Sequence, residues 1–426
     1  MKPFLAIFLN ELRAVLRSKT LFMLLAASVA WMLAAPYVFT GDGTESGLRE
    51  LTLHYSLGGV AALVAVSLLV AATGSIAGER AAKRLALTMV RPVGYFTIAL
   101  GKTAALTLTG AFVLAVAAAI LFAERTLAGD GGTVCRHVLR PVMPPVRQEA
   151  EAMYADYMAN TNTPEAVRKA KKEVVLRLLA NRAADRYDTI PTNVTWRWKI
   201  NLQPPTSDLQ PSTFNLQPSV RLKFSTMFDQ RDDVAGTLRF GEFTGVVSNI
   251  TQAVVEIPLK GNAGNGGTRL EFTNAGKNPV MLRPRRDVEL LVPADGFGAN
   301  LLRTWCELVA LMAILVAFGV FLGTALGRPS ALFTAVVTLL LSEMAPGVID
   351  QYADELESDR VDAVGLAITR AAAYVTRPVS SITPLASLSR DECVEPRETL
   401  RILFADLALL PVLFALLSAL IMPRKP

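Results

Sequence analysis

The side chains that most often carry catalysis or hold a metal are scarce here and poorly spaced. His54 and His137 are the only histidines, and neither has a second ligand at metal-site spacing. Cys135, Cys306 and Cys393 form no CxxC pair. No GxSxG or HExxH occurs, so the common hydrolase and metalloprotease arrangements have no footing. Gly101-Lys102-Thr103 looks like the end of a phosphate-binding loop, whose backbone amides need another glycine five residues earlier. Phe96 stands there instead, and an apolar run follows. Nucleotide binding by this chain is therefore not expected, nor is a metal site. Trp196 and Trp198 alternate with Arg197 and Lys199. They could stack on a sugar or base, but such alternation is commoner in a strand with one buried face. Arg303, Glu307, Glu343 and Asp406 stand near the ends of apolar runs. They either line a polar path or snorkel to an interface, and snorkelling is the expectation.

The elements that would position these residues are dictated by composition. Apolar residues make up 52% of the 426 and charged residues 19%, against about 25% charged in an average soluble domain. The depletion is concentrated in long runs. A helix needs roughly 20 apolar residues to cross a bilayer core, and six stretches qualify: Leu21–Phe39, Leu57–Ala77, Thr103–Ala123, Thr304–Leu326, Ala331–Ile349 and Ile402–Met422. Ser342, Glu343 and Pro346 interrupt the end of the fifth. The expected fold is an α-helical integral membrane protein of six spans, with an inserted extracytoplasmic α+β domain.

Basic residues set the orientation. Lys2, Arg13, Arg17 and Lys19 precede the first span, and Arg80, Lys83, Arg84, Arg91 and Lys102 lie between the second and third. Arg328 lies between the fourth and fifth, while Arg424 and Lys425 follow the sixth. Acidic stretches with Asp42, Glu45 and Glu50, and from Asp350 to Glu398, fall on the opposite side. Both termini are therefore expected in the cytoplasm. The first run exceeds a secretory h-region and lacks a good cleavage context, so it reads as a retained span. The net charge of +6 follows from the positive-inside bias and calls for no nucleic-acid partner. Cys135 and Cys393 fall outside the cytoplasm, where a bridge could persist; free thiols are the expectation.

Residues 124–300 are then an extracytoplasmic domain, and 350–401 a second external loop. The first part of the domain reads helical over Val146–Met158 and Pro164–Tyr187, with Thr163 as a start signal. The rest reads as short strands: Val194–Ile200, Val220–Phe224, Gly236–Phe243, Ala253–Leu259, Thr268–Phe272, Val280–Arg283 and Val288–Val292. Strands of this length between Gly, Asn and Pro suggest a sandwich. Asn201-Leu-Gln-Pro, Asp208-Leu-Gln-Pro and Asn215-Leu-Gln-Pro recur every seven residues as an extended surface insertion. The glycine-rich stretch 261–267 reads as a hairpin tip.

The most informative segment is the cytoplasmic loop 78–102. Glu79 is placed to open a short amphipathic helix, where a carboxylate suits the helix dipole, and Arg91-Pro92 to close it. Leu85, Leu87 and Met89 supply apolar surface, and Gly101-Lys102 leads into the third span. On the residues alone two readings stand equally: a helix holding anionic headgroups, or one docking on a partner.

Here the chain resembles the permeases of the second ABC exporter class. Their loop shows an acidic residue, a threonine, Leu-Ser-x-Pro-x-Ser-Arg, and then Gly-Lys at the mouth of the next span. Glu79, Arg91-Pro92-Val93 and Gly101-Lys102 match in identity and spacing, while Arg84, Val90 and Tyr95 depart from it. Asn10-Glu11-Leu12 to Leu16-Arg17-Ser18-Lys19 resembles the family's amphipathic leading helix (residues 1–20) before the first span. Leu322-Gly323-Thr324 to Gly327-Arg328-Pro329, and Phe297 to Arg303, resemble the turn after span four and the approach to it. The likeness covers the membrane parts: spans one to three in 21–123, spans four and five in 301–349, and span six with its tail in 402–426.

The resemblance implies a permease subunit of an ATP-driven exporter in a bacterial inner membrane. It would pair with a second copy or a related permease and contact membrane lipid. It would also bind a separate ABC ATPase subunit that holds ATP and Mg. The contact would be made by Glu79, Arg80, Lys83, Arg84, Arg91, Pro92, Gly101 and Lys102, with Glu11, Arg17 and Lys19 on the leading helix. The alternative is a subunit that transports nothing and moves an extracytoplasmic protein partner. A membrane-anchored sensor or enzyme is the third class, and no nucleophile–base or metal constellation favours it.

Overall fold

The computed structural model describes residues 2–39, 45–83, 93–127, 134–142, 146–159, 172–200, 219–225, 233–241, 243–250, 254–258, 269–340 and 384–422. The chain divides into two compact units, one of residues 1–133 with 296–426 and one of residues 134–295.

The first unit is helical. Helix α1 (Lys2–Leu16) is amphipathic and ends one turn before α2 (Lys19–Val38). Ser18 caps α2, its Oγ accepting from the Leu21 amide at 3.4 Å. Helices α3 (Glu45–Ala81) and α4 (Tyr95–Leu127) are 37 and 33 residues long. Both outrun the expected spans, because Glu, Arg and Lys at their ends are good helix formers that an apolar count omits.

Helix α8 (Phe297–Ala325) is the most enclosed of the bundle. Among the described residues, five helices are long and apolar enough to cross a membrane: α2, α3 from Glu50, α4, α8 and the helix Pro396–Ile421. The expected fifth span is represented by a shorter apolar helix, Arg328–Leu340; residues 341–349 of it lie outside the described residues.

Small residues set the crossing of α3 and α8. A Cβ on Gly323 would sit 2.6 Å from the Thr73 carbonyl oxygen, and one on Gly319 would sit 2.8 Å from the Ala72 Cβ. The backbones approach this closely only because both positions are glycine. Helix α10 (Pro384–Ser389) packs on α3 and α8. In α11 (Pro396–Ile421) the middle, Leu403–Leu409, is wound as π-helix.

The second unit is β-rich. Helices α5 (Val146–Ala159) and α6 (Lys172–Asp188) pack through Ala150, Val175 and Leu179; residues 164–171 of the second expected helix lie outside the described residues. The strands are β1 (Val134–Leu139), β2 (Pro141–Val142), β3 (Thr189–Ile190), β4 (Thr195–Ile200), β5 (Ser219–Lys223), β6 (Asp233–Phe240), β7 (Phe243–Ile250), β8 (Val254–Pro258), β9 (Arg269–Asn274), β10 (Val280–Met281) and β11 (Val288–Gly296). They form one sheet in the order β1-β11-β5-β8, another β2-β4-β9-β6-β7, and the pair β10-β3. Strands β6 and β7 form an eight-residue antiparallel hairpin from Asp233 opposite Ile250 to Phe240 opposite Phe243, with Gly241 at φ 59° in its turn.

Alternate residues from both large sheets meet in one core. Val220, Leu222 and Leu290 come from the first, and Leu238, Leu270 and Phe272 from the second. Trp198 is 4% exposed in that core, and Trp196 packs against it and edge-on to Tyr187. Both indoles are thus committed to packing rather than to a ligand. The repeats at 201–218 and the glycine stretch 261–267 lie outside the described residues. The three cysteines are unbridged.

Candidate functional site

The site grows from one lysine. Lys102 lies two turns inside α4, which starts at Tyr95, and is 3% exposed. A buried ammonium without partners costs several kcal/mol, so the sequence must supply carboxylates nearby. It supplies two. The Lys102 Nζ donates to Glu11 Oε2 at 2.7 Å and to Glu79 Oε1 at 2.8 Å. Glu11 belongs to α1 and Glu79 to the last turn of α3, so one ammonium ties together the ends of three helices. Gly101 lets α1 come close: a Cβ there would sit 3.0 Å from Ile7 Cγ2.

Glu79 does not open a new helix, as its place after the apolar run suggests; it lies near the C-terminal end of α3, which continues to Ala81. The dipole there disfavours a carboxylate, and Lys102 offsets this. Gly101-Lys102 lies buried within α4, which already begins at Tyr95, and Gly101 to Thr103 are helical rather than looped. Next along the chain, Arg80 reaches α8. Its guanidinium donates to the carbonyls of Thr324 and Leu326, each at 2.9 Å. Those carbonyls lie at the C-terminus of α8, where cationic donors are favoured. Lys83 follows in the left-handed region with φ 57°, ending the described part of α3 and its turn.

Glu11, Glu79, Arg80, Gly101 and Lys102 are thus gathered at one end of the bundle. Arg17 and Lys19 are exposed beside the α1–α2 junction and make no part of the ion-pair cluster. Arg84, Arg91 and Pro92 lie outside the described residues, as does any helix over 84–92. Comparisons with protein families, curated proteins and solved structures return no match.

A second polar cluster lies toward the other end of α8. Asn300 accepts from the Val394 amide at 2.8 Å and donates to the Glu392 carbonyl at 2.8 Å. Arg303 donates to the Val394 carbonyl at 3.3 Å, and Glu307 accepts from Thr399 Oγ1 at 2.8 Å. Arg125 lies 4.8 Å over the Phe297 ring and 3.7 Å from Asp391.

Glu307 and Asp406 are 4% and 5% exposed. Neither snorkels: both are enclosed by neighbouring helices, which correct the expected placement. Glu343 lies outside the described residues. Asn300, Thr399 and Arg125 carry no spacing motif in the sequence. Their only signal was polarity inside or beside an apolar run, which marks a partner without naming it. Among the described residues no group of three His, Cys, Asp or Glu side chains is placed to hold a metal.

Proposed function

We propose that the chain is the membrane-spanning permease subunit of an ATP-driven ABC exporter, with hydrolysis in a separate ATPase chain that holds ATP and Mg. The observation that carries the reading is the Lys102 ion-pair cluster. It locks the leading helix α1, the end of α3 and the start of α4 into one body on either side of residues 84–92. A force applied to that segment would reach three helices at once, and through Arg80 a fourth. Such a linkage is what a docking helix needs in order to move spans, whereas a helix merely holding headgroups needs no rigid connection to α8.

In this reading both termini and residues 84–92 face the cytoplasm of a bacterial inner membrane. Residues 134–295 face outward, and the subunit pairs with a second copy or a related permease. The size and separate core of the two-sheet unit favour one further version, in which ATPase motion is delivered to an extracytoplasmic protein and nothing is transported. Substrate efflux from vesicles separates the two.

Glu79→Lys is a poor test of docking, because it sets two cations side by side within the cluster. Arg84→Glu with Arg91→Glu leaves the cluster intact. Co-purification should bring down an ABC ATPase with the wild-type chain. The double variant, inserted and folded, should lose at least tenfold of the bound ATPase or of its transport-coupled turnover. Absence of an ATPase from the wild-type preparation, or a variant equal to wild type in both assays, ends the proposal.

A further inference from the structure

A cavity of about 630 Å³ lies between the α1–α2 junction, the second half of α3 and α4, within the size range of small-molecule pockets. Its two ends differ in chemistry. Toward one end the lining is largely apolar, including Leu24, Val66 and Leu106 with Ser67 and Thr109 among them; Ser18, Ser75 and Arg328 lie at the other end. From Val66 to Ser75 the cavity follows α3 for roughly 13 Å at the helical rise. It opens outward, since Val66 on its wall is 64% exposed.

Among the described residues, Arg328 is the only charged one in the lining, and no carboxylate accompanies it. Gly74 makes room for it: a Cβ there would sit 3.1 Å from the Arg328 Nε. Arg328 is exposed, and among the described residues no acidic group pairs with it. Arg17 and Lys19, also exposed, flank Ser18 and add positive charge at the same end.

We infer that this cavity binds one anionic glycerophospholipid from the leaflet on the Ser18 side. An apolar slot along a spanning helix takes an acyl chain, and a guanidinium at its mouth takes the phosphate in a forked hydrogen-bonded contact. A second copy of the chain would not require a cation at that point, and a zwitterionic lipid, though it carries the same phosphate, would bring its own quaternary ammonium toward Arg328, Arg17 and Lys19. The inference rests on α2 and α3 crossing the bilayer, and not on the ATPase reading.

The test is native mass spectrometry of the purified full chain, titrated with phosphatidylglycerol or with phosphatidylcholine of the same acyl chains. The wild type should hold one phosphatidylglycerol per chain with at least tenfold preference. Arg328→Gln should lower that preference at least fivefold, with Arg328→Lys falling between. Ala71→Trp, which fills the slot without altering charge, should release both lipids. Gel filtration and melting confirm the fold of each variant, and the filled and the neutralised slots test the inference independently. Equal retention of the two lipids by wild type would overturn it. So would unchanged binding by Arg328→Gln, or a lipid-free dimer in which a second copy covers the slot.

Discussion

Replacing Lys102 by Met tests the ion-pair cluster most directly. The side chain is 4% exposed, whereas Glu11 and Glu79 are 17% and 32% exposed. Removing one partner of a buried pair costs about 3–5 kcal/mol, because the charge left behind stays desolvated. Here the carboxylates left behind keep partial access to water, which screens them. They also repel each other, having lost the ammonium they shared. The balance points to the low end, about 3 kcal/mol.

At roughly 2–4 °C per kcal/mol for a unit of this size, the melting midpoint in detergent should fall by roughly 6–12 °C. Glu79→Gln should do much less harm, because Lys102 and Glu11 remain a neutral pair. The triple variant Lys102→Met, Glu11→Gln, Glu79→Gln should recover most of the loss, since it leaves no buried charge. Scanning calorimetry or dye-monitored melting at one fixed scan rate reads the series. A Lys102→Met midpoint within 1 °C of wild type, or a triple variant less stable than the single one, would refute the reasoning.

Arg80→Gln removes two donors from the C-terminal carbonyls of α8 and should cost about 1–2 kcal/mol, at the low end for so exposed a group; the same melting assay reads it. Gly323→Leu forces a side chain against the Thr73 carbonyl and should cost about 3 kcal/mol or prevent insertion. Gly327→Leu, which meets nothing within 4 Å, should melt like wild type; yield of monodisperse protein and melting midpoint check the pair.

The parts of this fold legible in the sequence are those with a period. The apolar runs announce the membrane-length apolar helices, and the alternation in Val194–Ile200 announces β4. Strand β7 escaped because Gly245, Ser248 and Asn249 break its alternation, and only the ladder with β6 reveals it. The Lys102 cluster was half visible. Its members were singled out one by one, yet nothing in the sequence says that residues 11, 79 and 102 touch. An apolar count also begins the helix at Thr103, whereas α4 begins at Tyr95 and encloses Lys102. Glu307 and Asp406 differ from expectation for a related reason: nearness to a helix end suggests access to water, but only neighbouring helices decide it.

The π-wound stretch of α11 has a consequence for how that helix is built. A π turn takes in an additional residue, so residues 396–402 and 410–421 do not share one helical wheel. Each is phased by about 100° relative to the other from where an unbroken α-helix would set it. That offset lets Thr399 face Glu307 on α8 while Phe414 still meets Phe318 and Phe321 further along the same helix. The helix therefore reads as two splines keyed to α8 at different angles. Removing one residue between 403 and 409 would let the stretch rewind as α-helix and leave both in key, whichever residue was lost.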